Sequence, residues 1–479
     1  MNQSFEHLPK EERKKILLIC DDIRVHSGVA TVAREIVTHT AHHFNWVNIA
    51  GAISHPDKGK VLDISQSTNE QASIDDAYVM MYPTDGYGNV EFLRQIIARE
   101  NPDAIMLITD PRYFTWLFNA EQEFRKKIPI TYLNIWDDYP APMYNHAYYE
   151  ACDLLMGISK QTVNINKIVL GDKVKNKIFK YVPHGLDHNE YKPLDDNDGG
   201  LKKFKKDFLN GENPDFVLFF NSRNIRRKQI PDAMLAFRAL LDSLPKEKAD
   251  RCKFILHTEI RSDHGTDLRK VKEYLFDESY PNAIKFSTNK LSGQQLNYLY
   301  NIADAQILLT SNEGWGLTIT EAILAGTPII ANVTGGMQDQ MRFEDKDGNW
   351  FTPTPEFPSN HRQTLTKHGE WAFPCFPTSR SIQGSPMTPY IFDDRCRWED
   401  ATEQLVKLYE MTREQRKALG LKGREWAISD EAGFTSQHQA NRVIEAFTEL
   451  FNTWEPREKY EITNATEYKG RHLTHKIYY

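Results

Sequence analysis

The chain has 479 residues, more than one hydrophobic core usually serves, so two domains are expected. Hydrophobic residues make up 40% and charged residues 26%, a globular balance that excludes a disordered or fibrous chain, and the formal net charge of -7 argues against a protein that coats nucleic acid by bulk charge. Five dispersed cysteines (Cys20, Cys152, Cys252, Cys375 and Cys396) form no C-x-x-C pair, so neither a disulfide framework nor a zinc knuckle is expected, and a cytoplasmic setting is.

The first residues are polar and charged, and the apolar run Ile16 to Cys20 is too short for a signal segment or a membrane span. Short apolar runs then alternate with stretches of helical spacing: KILLICDD, AIMLITD, IPITYLNIWDD and CDLLMGIS read as parallel strands of a first domain, residues 1–190. In YVPHGLDHNEYKPLDDNDGGLKKFKKDF the apolar period disappears, and the stretch reads as an interdomain linker. A second series, FVLFFNSR, KFILHTE, AIKFS, AQILLTS and TPIIAN, marks a second domain of the same class over residues 191–430. Within it, residues 343–395 are rich in proline and aromatic side chains without a clear period, and read as a long ordered insertion loop. EDATEQLVKLYEM, REQRKALGLKGREWA and TSQHQANRVIEAFTELFNTW have helical spacing. The last of these opens a C-terminal helix and tail, residues 431–479, expected to pack back on the first domain. The fold class is α/β, with two Rossmann-like doubly wound domains facing each other across a cleft at the carboxyl ends of both sheets.

The chemistry concentrates in SNEGWGLTITEAILAGTPIIANVTGG, residues 311–336. Gly314, Trp315 and Gly316 form a glycine-rich turn that opens a helix, so backbone amides can approach an anion there and the positive end of the helix dipole adds to a phosphate cradle. Glu313 lies in the turn, and Glu321, a turn inside the helix, can hold hydroxyls such as those of a ribose. In FFNSRNIRRKQIPDAMLAF, Arg223 and Lys228 flank a loop after a strand, where fixed cations can stabilise a departing diphosphate. Read blandly, these are an acidic helix start and a solvated basic one.

The two glutamates with seven residues between them, the Arg-loop-Lys run, the linker VPHGLDHNEYKP and Ala325-Gly326-Thr327-Pro328 together resemble the retaining GT-B transferases of glycosyltransferase family four. The resemblance implies a GT-B fold and a nucleotide-sugar donor, UDP-linked, with Glu321 on the ribose and Glu313 facing the transferred sugar. It places the amides of Gly316, Leu317 and Thr318 on the diphosphate, Arg223 and Lys228 as leaving-group stabilisers, and Asn289 or Lys290 near the donor base. In the first domain, Ser27-Gly28 is similar to the family's glycine loop, with Gly28 as an amide donor, and Asp137 of LNIWDDYPAP stands where the family often has a histidine near the acceptor. A helix cap or a solvated acidic turn accounts for Asp137 equally well.

The implied reaction is front-face displacement with retention, needing no dedicated base, no cofactor and no metal. An epimerase of the same fold and a silent nucleotide-sugar-binding module are the alternatives. The acceptor stays open between a glycan-type hydroxyl and a hydroxymethylated base in DNA. The latter follows from a similarity of the aromatic insertion and DDRCRWED to virus-encoded transferases, with Arg125-Lys126-Lys127, Lys202-Lys203 and Lys205-Lys206 able to line a duplex.

Overall fold

The structure, a computed structural model, describes residues 5–25 and 27–457. The described residues divide into two compact units, one drawn from the ranges 1–184, 353–358 and 436–479, the other from 185–352 and 359–435. The tail from residue 458 lies outside the described residues.

The first unit is built on β1 (Lys14–Asp21), β2 (Phe44–Ala52), β3 (Leu62–Asp63), β4 (Val79–Asp85), β5 (Ala104–Ile108), β6 (Ile130–Asn134), β7 (Leu154–Gly157) and β8 (Ile178–Tyr181). These form one eight-stranded sheet in the order β3-β4-β2-β1-β5-β6-β7-β8, parallel except where β3 meets β4. Ile16 to Cys20 are wholly buried, as a central parallel strand covered on both faces must be. The helix Gly28–Thr40 is capped by Ser27, whose hydroxyl accepts from the Ala30 amide at 3.0 Å, and it buries Ala30, Ala33, Ile36 and Val37. The helix Ser436–Thr453 packs on it with Val443, Ile444 and Phe447 buried, and Phe447 meets Phe44 at 5.6 Å between ring centres.

Two features of this unit differ from the sequence reading. The strand β2 escapes an apolar-run search because Asn45 and Asn48 interrupt it; Asn48 is buried because its amide group donates to the Leu18 carbonyl at 3.2 Å. Arg125, counted above with a basic cluster, is buried and paired with Asp153 and Glu121, so it lines no duplex.

The second unit holds β9 (Phe216–Asn221), β10 (Cys252–His257), β11 (Ile284–Ser287), β12 (Ala305–Leu308), β13 (Ile329–Asn332), β14 (Ala372–Cys375), β15 (Pro377–Ser385) and β16 (Thr388–Cys396). The first six form a parallel sheet in the order β11-β10-β9-β12-β13-β14, and β15 and β16 form an antiparallel hairpin. The stretch expected to be an insertion loop therefore supplies the sheet's outer strand, Ala372–Cys375 pairing with Ile329–Asn332, and a hairpin. The end of the expected linker is likewise ordered: Gly199–Phe208 is a helix, capped by the Asp198 carboxylate on the Leu201 amide at 2.7 Å. Lys202, Lys203, Lys205 and Lys206 lie on it. The helices Trp398–Glu410 and Arg413–Ala427 pack on Ile230–Ser243 and Leu317–Leu324, and the buried Arg416 bonds Asp304 at 3.0 Å. All five cysteines are buried free thiols, and no helix among the described residues is long and apolar enough to cross a membrane.

Candidate active site

In the second sheet the chain runs from β9 outward through β10 and β11, then returns to the other side of β9 with β12. The order reverses between β9 and β12, and in open α/β sheets ligands bind beyond the carboxyl ends of the strands at such a reversal. The two loops that leave there are residues 222–229 and 309–316, which contain every cation and carboxylate of the two main sequence motifs except Asp232 and Glu321.

The first loop is pinned from both sides. Asn224, 1% exposed, donates to the carbonyls of Glu259 and Thr266 at 3.0 and 2.6 Å and accepts from the Thr266 amide at 3.0 Å. A single 3-10 turn follows, Arg226–Lys228, closed by Gln229 in the left-handed region at φ 50°. That turn brings Arg227 and Lys228 onto Glu313. Lys228 ion-pairs with the carboxylate, and Arg227 donates to the same oxygen at 2.9 Å. The Glu313 side chain is 13% exposed. Burial alone pushes a carboxyl up, but the two cations prevail and hold Glu313 well below the usual carboxylate range. Both cations thus meet one carboxylate oxygen beside the helix start.

Arg223 does not join this cluster. It is exposed, and among the described residues no ion pair involves it; the arginine that joins Lys228 on Glu313 is Arg227. The sequence offered four basic residues in six positions, and only the 3-10 turn decides which two face inward.

The second loop ends in Gly316, at φ 87°, where a side chain is disfavoured, and the helix Leu317–Leu324 begins directly after it. Trp315, 2% exposed, donates its indole proton to Thr320 at 2.9 Å; Thr320 donates to Gln340 at 2.8 Å; and Gln340 returns its amide to the Trp315 carbonyl at 2.7 Å. This closed ring of buried bonds fixes the turn. Gly336 packs so closely that a Cβ there would lie 2.3 Å from the Gly314 carbonyl oxygen, while its amide donates to the Glu313 carbonyl at 3.1 Å. Leu317 and Thr318, half-buried, are the first helical residues, whose amides have no partner within the helix.

Glu321 is the fifth residue of that helix. Tyr300, fully buried, donates its hydroxyl to Glu321 Oε2, and Asn221, the last residue of β9, donates to the same oxygen at 3.2 Å. Burial, with the charge of Glu190 adding to it, nevertheless lifts this carboxyl to about 7. One helix start thus lies between a carboxylate held ionised and one poised near neutrality. Asn221, Tyr300 and Arg227 were not singled out from the sequence; the polar Asn closing an apolar strand was the one available signal for the first.

Asn289 is exposed in the loop after β11. In the first unit, Gly28 is exposed at the start of its helix. Asp137, half-buried after β6, accepts through its carbonyl from Gln161 at 3.5 Å, whereas the wholly buried carboxylate there is that of Asp138, bonded by Gln161 at 3.0 Å.

Two parallel-sheet Rossmann-like domains, the second with cations and carboxylates at its strand reversal, define the GT-B architecture. Residues 202–357 match the family Glycosyl transferases group 1, and the site just described lies within that match. The fold is similar to that of Anabaena HepE in complex with UDP and glucose, 16% identical, covering 91% of this chain and 100% of that one with a TM-score of 0.62. It is also similar to sucrose-phosphate synthase from Thermosynechococcus elongatus, 14% identical over 92% of this chain and 100% of that one, TM-score 0.63. In sequence, 198 residues are 20% identical to the mannosylfructose-phosphate synthase of Agrobacterium fabrum, and the match spans 40% of this chain and 39% of that protein's length.

Proposed function

We propose that the chain is a glycosyltransferase that moves a sugar from a UDP-linked donor to an acceptor hydroxyl with retention of anomeric configuration. The observation that carries this reading is the arrangement at one helix start: Glu313 braced by Arg227 and Lys228 on one side, and Glu321 bonded by Tyr300 and Asn221 on the other. The amides of Gly316, Leu317 and Thr318 take the diphosphate, Glu321 takes the ribose hydroxyls, and Glu313 faces the sugar. Asn289 is near the base.

As the bond from the anomeric carbon to the diphosphate breaks, negative charge grows on the leaving oxygen. Lys228 and Arg227, half-withdrawn from water, stabilise it there more than in the ground state, which is what accelerates a reaction. The leaving diphosphate takes the acceptor proton, so no separate base is assigned. In the same reading the charge is met by side chains and no metal is required, which a chelator titration of activity tests. A UDP donor is supported by UDP and glucose in the similar HepE structure. A carbohydrate hydroxyl as acceptor is supported by the sucrose-phosphate and mannosylfructose-phosphate synthases among the similar proteins. Gly28 and Asp137 are the acceptor-side candidates of the first unit.

The experiment is nucleotide release from a panel of nucleotide sugars, with sugars, sugar phosphates, glycans and hydroxymethylated DNA as acceptors, and proton NMR of the product for its anomeric configuration. Retained configuration in a UDP-sugar reaction is the expected result. Isomerised sugar from donor alone would establish an epimerase instead, and nucleotide binding without release under every condition would establish a silent binding module.

A further inference from the structure

The stretch from residue 343 to 395 has no part in the chemistry so far, yet its last strand ends against the loop that carries Glu313. The Asp394 amide donates to the Ser311 carbonyl at 2.8 Å. One carboxylate oxygen of Asp393 accepts two bonds from successive residues of the loop, from the Ser311 hydroxyl at 2.9 Å and the Asn312 amide group at 3.0 Å. The same Asn312 group donates to the Phe392 carbonyl at 3.3 Å. From β13, Asn332 joins the two by donating to the Thr310 carbonyl at 2.9 Å and the Asp394 carbonyl at 2.7 Å. Residues 310–312 are thus stitched to residues 392–394, and the next residue in the loop is Glu313.

The far side of the same loop faces the cationic turn: the Ser311 amide donates to the Arg227 carbonyl at 2.8 Å. The strand β16 is a firm support. The buried Asp394 carboxylate meets the Arg380 guanidinium of β15 at 2.7 Å, and that guanidinium lies 4.3 Å over the Phe392 ring. Beyond it, Arg395 bonds Asp232 at 2.7 Å, in the first turn of the helix that follows Lys228. The end of β16 therefore touches elements on both sides of the strand reversal.

A carboxylate accepting from two consecutive side chains fixes the direction of the backbone between them. Bonds to a charged acceptor are about twice as strong as neutral ones. A displacement of about 1 Å at a reacting group can cost on the order of a hundredfold in rate. We propose that Asp393 is a positioning residue: its carboxylate, reached from the hairpin outside the sheet, clamps Ser311 and Asn312 and so sets where Glu313 stands against Arg227 and Lys228. The proposal rests on the donor-site reading above.

The test uses the full chain, with UDP as binding probe and release of UDP from UDP-glucose, water serving as acceptor, as the reaction. Asp393→Ala lowers turnover at saturating donor on the order of tenfold to a hundredfold and leaves the Kd for UDP within about threefold, because the ribose and diphosphate contacts lie elsewhere. Asp393→Asn keeps an oxygen that can accept both bonds and restores most of the rate. Ser311→Ala gives a smaller loss, and the double variant Asp393→Ala with Ser311→Ala loses less than the sum of the two, since both remove one shared contact. Turnover of Asp393→Ala within about threefold of wild type, equal losses in rate and UDP affinity, or an Asn variant no better than Ala would each overturn the proposal. Glu321→Ala, measured alongside, separates the two levels. If it binds UDP as wild type does, the donor-site reading falls and the clamp with it. If it weakens UDP binding while Asp393→Ala is silent, only the clamp falls.

Discussion

Tyr300 donates its hydroxyl proton to Glu321, so the carboxylate of the helix Leu317–Leu324 is held by a tyrosine that has no exposed surface of its own. The bond favours the ionised form, burial opposes it more strongly, and the carboxyl rests at about 7.

Donor affinity should follow that value. The ionised carboxylate is the better acceptor for ribose hydroxyls, so UDP binding strengthens as pH rises through about 7. Calorimetric titration from about pH 5.5 to about pH 8.5 reads the midpoint directly. Glu321→Gln flattens the profile and weakens binding on the order of tenfold. Tyr300→Phe removes a contact that favours the charge and moves the midpoint upward.

The same group predicts a stability trend. Its folded value of about 7 exceeds the ordinary 4.5, so between these values the folded chain keeps a proton the unfolded chain has lost. The stabilising contribution of the neutral carboxyl is fully present below the lower value and declines as pH rises through that window. Thermal melts of wild type and Glu321→Gln across it should diverge, with wild type losing more stability at its upper end.

The cationic turn separates two arginines. Lys228→Ala is expected to lower turnover on the order of a hundredfold with little change in the Kd for the intact UDP-sugar, while free UDP, which carries the developed charge, binds more weakly, because the lysine's contact strengthens as the diphosphate leaves. Arg227→Ala loses at least about tenfold through the unbraced Glu313, whereas Arg223→Ala, at an exposed position, stays within about threefold. Steady-state kinetics on the three variants checks the order.

Two substitutions probe the turn itself. Gly336→Ala places a methyl group 2.3 Å from the Gly314 carbonyl oxygen, so the turn must shift, and a loss of about 1–3 kcal/mol with a fall in activity is expected. Thr320→Val keeps the shape but leaves the buried Trp315 indole proton without its acceptor, costing about 1–3 kcal/mol. Denaturant unfolding measures both.

The strands of the second sheet nearest the site, and the Glu313 and Glu321 pair, were readable because a fully covered parallel sheet writes itself as apolar runs and because a glycine turn before a helix has a fixed spacing. Arg227 was not readable, since charge pattern cannot say which of Arg223, Arg226, Arg227 and Lys228 a 3-10 turn rotates inward. Ala372–Cys375 was missed for another reason: it is short and contains Pro374, which an edge strand tolerates and a central one does not. The hairpin carries no clean alternation, because Ile382 and Met387, its apolar residues toward the tip, are exposed at 62% and 63%. Its use of Asp393 is a tertiary contact 82 positions from Ser311, beyond the reach of any local pattern.

The strand Ala372–Cys375 gives the chain from residue 343 to 395 a second duty. Excising that stretch to obtain a minimal catalytic body would strip the outermost ladder from the sheet, bare the full edge of Ile329–Asn332 to any passing chain, and cut the hairpin loose with it. What looks in the sequence like removable ornament is a wall of the building, and shortened forms of this protein should aggregate.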